Sequence, residues 1–478
     1  MRAPDAVVVG SGPNGLAAAV TLAGAGLAVL VREASDGIGG AARTLPLTLP
    51  GFLHDHCSAI HPLAAGSPLF RRLDLEARGL RWVTPPAAAA HPLDDGTAAL
   101  LLRSPAETGK GLGDDARAWR ALFEPLARDF HALMDETLGA LLHLPRRPLL
   151  LARFGISALL AARGLAEGRF RGPRARALFA GLAAHAVLPL ERSPSAAFAL
   201  VLGAAAHAVG WPFPEGGAGR ITLALADLLR ARGGVVETGA EVRALGELPP
   251  ARAVLLDLAP RQVLRVAGER LTARYSRALD RFRYGPGVFK ADYALSAPIP
   301  WRAPECARAG TVHLGGTLEE IAAAERAVAA GEMPARPFVL VAQHTLFDPS
   351  RAPAGRHTAW AYCHVPHGFA GDATAALEAQ LERFAPGFRE VVLARSVRGP
   401  ALLEREDANL VGGDVGGGEN SLRQTIFRPV VRVVPWSTPV PGLYLCSAST
   451  PPGGGVHGMC GFHAARAALR EVFRAPRR

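Results

Sequence analysis

The stretch DAVVVGSGPNGLAAAVTLAGAGLAVLVREA, residues 5–34, constrains this chain more than any other. Val7, Val8 and Val9 make a β-branched run suited to a buried parallel strand, and Gly10, Gly12 and Gly15 follow it in the pattern G-x-G-x-x-G. The first glycine permits a tight turn, the second lets backbone N–H groups approach a pyrophosphate, and the third lets a helix pack closely on the strand. Pro13 and Asn14 lie within this loop, and the spacing predicts a helix over 14–25 whose N-terminus meets the phosphates. LAVLV then reads as a second strand that delivers Glu33, followed by Ala34, 18 residues beyond Gly15, where an acid accepts from ribose hydroxyls. An acid at that point favours an unphosphorylated ribose. With strand, helix and acid all at the required distances, the chain opens on a dinucleotide-binding unit.

At 478 residues the chain exceeds one ordinary core and calls for two domains. Its mean hydropathy of +0.16, although inflated by alanine, points to exposed apolar surface or an apolar substrate tunnel. The net charge of +11 raises nucleic acid, anionic membranes and acidic ligands as partners. The basic residues are nearly all arginine and scattered, with no aromatic-interleaved basic stripe and no nucleic-acid-binding signature, so no nucleic acid partner is expected. Cys57, Cys306, Cys363, Cys446 and Cys460 form no C-x-x-C pair, which excludes a dithiol redox centre and a zinc ribbon and suits reduced cytoplasmic thiols. The first strand begins by residue 5, leaving no room for a leader before it. The longest apolar stretch, 148–164, is broken by arginine and falls short of the ~20 residues that span a bilayer, so any membrane contact is expected to be peripheral.

Farther along, GIGG is a second glycine cluster directly after the acid, carrying Gly39 and Gly40 and followed by Ala41 and Arg43. His54, Asp55, His56, Cys57 and His61 follow in a loop, but nothing around them has metal-site spacing, and no metal is expected. Residues 80–103 read as short strands, and 113–210 as a helical insert in which apolar positions recur at three and four. Within that insert, 145–173 combines Arg146, Arg147, Arg153, Arg163, Arg169 and Arg171 with Leu and Phe, the pattern of an interfacial basic amphipathic surface or of core helices with snorkelling arginines. Residues 211–245 return to α/β texture, with a helix over 219–232 and a strand ending near Val242. Residues 253–260 supply another strand, a helix near 275–283 crosses back, and strands at 289–295, 311–316, 337–345 and 357–365 imply a substantial second sheet. A third return, 441–473, reads strand, glycine loop, helix. The fold class is therefore α/β, a Rossmann-like domain over 1–79, 211–265 and 415–478 interleaved with an α+β substrate domain over 80–210 and 266–414 that has a helical lid.

These stretches together resemble the phytoene-desaturase-like branch of the FAD-dependent amine oxidase superfamily, whose dinucleotide domain is glutathione-reductase-like. The likeness extends to bacterial FAD/NAD(P)-dependent oxidoreductases and to proteins with a pyridine nucleotide-disulfide oxidoreductase domain. VVVGSGPNGLAAAVTLAGAGLAVLVREA, GIGGAART with LPGFLHDHCSA, PEGGAGRI with GAEV, and GLYLCSASTPPGGGVHGMCG carry it, reaching from residue 5 to 473. The resemblance implies FAD, and with no cysteine or histidine at an attachment motif its binding is expected to be non-covalent. In that reading Gly10, Gly12, Gly15 and Glu33 hold the ADP half, Gly39 and Gly40 lie along the pyrophosphate, and Val242 offers its backbone to adenine. Ala448, Ser449, Gly454, Gly455 and Val456 face ribitol and the flavin, with the last helix stabilising negative charge on the reduced ring. The chain departs from amine oxidases at Ala41, where they carry arginine, and at Ala448, where they carry an acid.

With FAD carrying the hard chemistry, a many-stranded substrate domain under a helical lid suits dehydrogenation or isomerisation of a polyene, isoprenoid or lipid. An amine oxidase is the alternative, and a flavin-binding interaction protein without turnover is a second. Two further residues are candidates for catalysis. His457, between the glycine loop and the last helix, is placed to reach the flavin edge or to fill a polar gap there. Lys290, one of only two lysines, sits mid-strand in YGPGVFKADYALSAPIPW, which resembles the amine oxidase segment whose lysine holds a water against flavin N(5). Strand alternation places it either toward the isoalloxazine or toward solvent.

Overall fold

Val7, Val8 and Val9 point alternately to the two faces of a parallel sheet in which their own strand is fully buried. Val8 belongs to the same apolar core as Ala17, Val20, Leu225 and Ala464 of the covering helices, while Val7 and Val9 belong to a separate core with Val263 and Leu279. The computed structural model describes residues 3–473. In chain order its two large sheets are built from β1 (Ala6–Val9), β2 (Val29–Arg32), β3 (Ala87–Pro92), β4 (Ala98–Leu102), β5 (Val235–Glu237) and β6 (Ala253–Leu256). They continue with β7 (Gly287–Leu295), β8 (Ala309–Leu314), β9 (Val339–Ala342), β10 (His357–Val365), β11 (Val392–Arg398) and β12 (Leu443–Leu445). The first sheet runs β12-β6-β1-β2-β5 and is parallel throughout. Three separate stretches of chain therefore meet in one sheet.

Helix Pro13–Ala23 begins at the glycine loop and packs against helices Gly219–Ala231 and Met459–Glu471. The contact with the last helix is backbone on backbone: a Cβ on Gly461 would stand 1.8 Å from the carbonyl oxygen of Asn14.

The second sheet runs β11-β7-β10-β9-β8-β3-β4, antiparallel except for the parallel pair β3 and β8. Period-two alternation divides β7. Phe289, Ala291 and Tyr293 enter an apolar core with Val341, Ala361 and Leu377, and Lys290 and Asp292 take the opposite face, in register with Tyr362 and Trp360. That opposite face looks toward the dinucleotide unit. The helical insert contains Ala116–Arg128, Phe130–Thr137, Pro148–Ala158, Ala162–Arg169, Pro173–Ala184 and Ser195–Ala208.

Two expectations need correction. The strand expected to end near Val242 stops at Glu237, and Val242 lies in the following loop. Strand β3, AAAAHP, falls within the 80–103 stretch read as short strands and is fully buried, whereas β11, an edge strand of alternating exposure, was not among the strands read from the sequence. Helices Pro260–Ala267 and Ala273–Asp280 cover the parallel sheet through Val263, Ala267, Leu271, Tyr275 and Leu279. Residues 266–280, expected in the substrate domain, thus pack with the dinucleotide unit.

Candidate active site

One cavity of about 730 Å³ separates the glycine loops from the polar face of the second sheet. On the loop side, Gly10 is held at φ +101°, and a Cβ on Gly15 would stand 2.1 Å from the Gly10 carbonyl oxygen. Only glycine satisfies either position. Gly39 and Gly40, at φ +120° and +53°, fold the second loop onto Gly12. Glu33 is buried at the end of β2, where its carboxylate accepts from Ser11 N at 2.8 Å, Ser11 Oγ at 2.6 Å and Ser35 N at 2.9 Å. A carboxylate has about four acceptor sites, so capacity for a ribose hydroxyl remains. Pro13, Asn14, Ala34, Ala41 and Val242 line the same cavity. Arg43 lines it too, with its guanidinium donating to the carbonyls of Gly40 and Glu406 at 2.9 and 3.0 Å.

The C-terminal loop closes the next part of the wall with Ala448, Ser449, Gly454, Gly455 and Val456. Val456 has φ +55°, a costly conformation for a β-branched residue that marks a position held by its surroundings. His457 is turned away from this wall. Its Nδ1 accepts from Met459 N at 3.1 Å and so caps the last helix, and burial lowers its pKa to about 4. The His457 imidazole is buried and does not line the cavity, lying behind Gly455, which does.

On the sheet side, Lys290 is 1% exposed and lines the cavity while donating to Asp292 Oδ2. The pair is coupled. Burial pulls the Lys290 ammonium below its ordinary value against the attraction of Asp292, and burial pushes the Asp292 carboxyl up against Lys290 and Arg398. Arg398 NH1 lies 3.7 Å from Asp292 Oδ2, and His54 Nδ1 lies 3.6 Å from Oδ1. His54 is held near 3 by burial and by Lys290, so it stays neutral at ordinary pH. Asp55 meets a different partner: against burial, the Arg351 guanidinium at 2.6 Å and His344 bring it down to about 2. Beyond Lys290 the lining is largely apolar and aromatic: Val288, Leu202, Leu340, Trp211, Trp360 and Tyr362.

Several cavity residues escaped the sequence reading. Asp257, at the end of β6, accepts from Gly15 N at 2.8 Å, and burial with the nearby Asp407 and Glu33 raises it to about 7. Protonated, it offers the phosphate loop an O–H donor. Asn409 is clamped to the same strand end, accepting from Ala259 N at 2.7 Å and donating to Asp257 O at 3.1 Å. Asp407, Asp414 and Gly417 complete that wall, and the GGDVGGG run at 412–418 was the available signal. The cradle suits a dinucleotide: Asn14 Oδ1 is buried without a partner beside the cavity, and the Gly15 and Gly454 backbones leave no room for a Cβ.

Residues 8–74 match the NAD(P)-binding Rossmann-like domain family. The whole chain is 27% identical to pyridine nucleotide-disulfide oxidoreductase domain-containing protein 2 of Mus musculus, an alignment covering 98% of this chain and 94% of that protein. Its structure is similar to an oxidoreductase from Methanosarcina mazei, with TM-score 0.65, 17% identity and coverage of 97% and 99% of the two chains. It is similar also to putrescine oxidase bound to putrescine, with TM-score 0.62, 20% identity and coverage of 98% and 99%. The fold is thus mixed α/β with a Rossmann-like dinucleotide domain.

Proposed function

We propose that this protein is an FAD-dependent oxidoreductase that dehydrogenates or isomerises a hydrophobic polyene, isoprenoid or lipid-like molecule. The observation that carries the reading is Lys290, a buried lysine in the largely apolar and aromatic end of a cavity whose other wall is the glycine cradle. The oxidoreductase relatives and the match at 8–74 support its coarser part.

In this reading Glu33, Ala34 and Val242 hold the adenosine of FAD, and Gly10, Gly12, Pro13, Asn14, Gly15 and Gly39–Arg43 surround its pyrophosphate. Ala448, Ser449 and Gly454–Val456 receive the flavin. Binding is non-covalent: burial pushes the thiol of Cys57, which lines the cavity, up to about 12, and that of Cys446 well above its ordinary range, so neither supplies a thiolate. When bound, FAD accepts the electrons released in oxidising a C–H bond. Lys290 Nζ, whose charged form burial disfavours, takes up the substrate proton when it is neutral, and burial of the pair excludes water from that transfer. Leu202, Leu340 and Trp211 orient the apolar body of the substrate.

A second reading, oxidation of an amine, is favoured by Trp360 and Tyr362, whose rings meet edge-on at 4.9 Å in the cavity wall and present aromatic surface to an amine nitrogen. It also draws support from the likeness to putrescine oxidase. Anaerobic stopped-flow mixing of the flavin-loaded protein with a polyene, and separately with a primary amine, distinguishes the two. Bleaching of the flavin band by the polyene alone is expected, with Lys290→Met slower by ~10²-fold and its FAD fully retained. Bleaching only by the amine selects the second reading. Equal rates for wild type and Lys290→Met would remove the lysine from either. Acid precipitation is expected to release all yellow colour into the supernatant.

A further inference from the structure

Near the start of helix Pro148–Ala158 the chain leaves bulky aliphatic side chains in water. Leu144 is 92% exposed, Leu149 86% and Ile156 73%, and Leu142, Leu159 and Leu160 are exposed beside them. The helix buries Phe154 and Ala158 on its inner side, so Leu149, Arg153 and Ile156, spaced i, i+4, i+7, form one outer stripe. The loop before it is fixed in place. Glu136 Oε1 accepts from the backbone N–H groups of Arg146 and Arg147, both at 3.1 Å, and its Oε2 meets His143 Nε2 at 2.8 Å. Arg146, Arg147 and Arg153 are exposed and form no ion pair among the described residues, and no Asp or Glu occurs between Glu136 and Glu167.

We propose that segment 142–160 is a preformed docking face for an anionic bilayer, its leucines and isoleucine entering the headgroup layer and its arginines meeting lipid phosphates. Three arguments select this occupant. The helix has 11 residues, about 16 Å of rise, against ~30 Å of hydrocarbon, and a bend of 95° separates it from helix Ala162–Arg169, so neither helix reaches across a bilayer by itself. Apolar side chains interleaved with unpaired arginines match the two terms of interfacial binding, apolar burial and attraction to anionic lipid. Finally, pairing the face with a second copy would bring these arginines together with no acid in the segment to neutralise them. Helix Pro148–Ala158 packs on helix Ser195–Ala208, whose Leu202 lines the cavity, so the docked face adjoins the apolar end of the site.

Flotation of the full chain with phosphatidylcholine vesicles, with and without phosphatidylglycerol, tests this. The wild type is expected to float with phosphatidylglycerol-containing vesicles and to be released by salt. Arg146→Gln/Arg147→Gln/Arg153→Gln should weaken that binding more than tenfold, each arginine contributing about fivefold near an anionic surface. Leu144→Ser/Leu149→Ser/Ile156→Ser should abolish it with an unchanged melting temperature. Wild type that ignores the anionic vesicles, or arginine and leucine variants that float equally well, would overturn the proposal. So would a dimer in sedimentation equilibrium that the leucine-isoleucine variant dissolves, since the face would then belong to a second copy.

Discussion

Lys290 and Asp292 are two residues apart on β7, so one strand period places both on the cavity face and brings the carboxylate within reach of the ammonium. The lysine itself was legible, because in an arginine-rich chain a mid-strand lysine is conspicuous. Its direction was not, since alternation allows either face, and only the packing of Phe289, Ala291 and Tyr293 on the other side decides it. Asp292 attracts the charged form of Lys290 and so holds the lysine above the value that burial alone would impose. Asp292→Asn removes that attraction. The limb of kcat/KM that reports deprotonation of Lys290 is then expected to move to lower pH by about a unit or more, while Asp292→Glu returns it upward. A pH profile unmoved by Asp292→Asn would show that the carboxylate does not tune the lysine.

At the scale of elements, the signals that succeeded were steric ones. The β-branched Val7–Val9 run and the three glycines after it have few other conformations open to them, and the strand, loop and helix stand where that chemistry puts them. Strand β3, within the stretch read as short strands, shows what propensity alone would have missed. Four alanines favour a helix in isolation, yet Ala87–Ala90 are buried between β4 and β8, where tertiary pairing outweighs a weak propensity. The two helices flanking the glycine loops meet through Gly461, with no space between it and the Asn14 carbonyl. Gly461→Ala must push these helices apart. It is expected to cost about 1–3 kcal/mol and to lower bound flavin, because the displaced Pro13–Ala23 helix carries the phosphate loop. Thermal melting and the ratio of flavin to protein absorbance measure both effects; an unchanged ratio would separate the helix contact from the site.

Across the whole molecule, burial of histidine sets the response to acid. His54, His56, His185 and His344 are each held near 3, in every case mainly by burial, against an ordinary value of 6.5. The unfolded chain binds these protons as pH drops below 6.5 while the folded chain refuses them, so stability falls between pH 6.5 and 3 and is flat above that window. Each pH unit costs up to about 1.4 kcal/mol per such histidine. Asp55, down at about 2, adds its own loss only below its unfolded value of 3.8. A melting temperature that declines steeply from pH 6.5 to pH 5 is therefore expected, and one that holds constant to pH 4 would show that these imidazoles protonate within the fold.

What the amino-acid sequence determined by itself is whatever local sterics dictate: the phosphate loop, the acid at Glu33, the strand, glycine loop and helix at the C-terminus, and the α/β texture of the stretches between. Tertiary structure decided the rest. Asp257 reaches the phosphate loop only because β6 lies beside β1, across 242 residues from Gly15, and Asn409 clamps that strand end only because the 407–418 segment returns to it. His457 stands one residue from the cavity wall yet does not line it, its Nδ1 accepting from Met459 N at the start of the last helix. Local spacing governs where a backbone can bend; which side chains then share a cavity depends on how distant segments pack, and no single stretch of sequence carries that information.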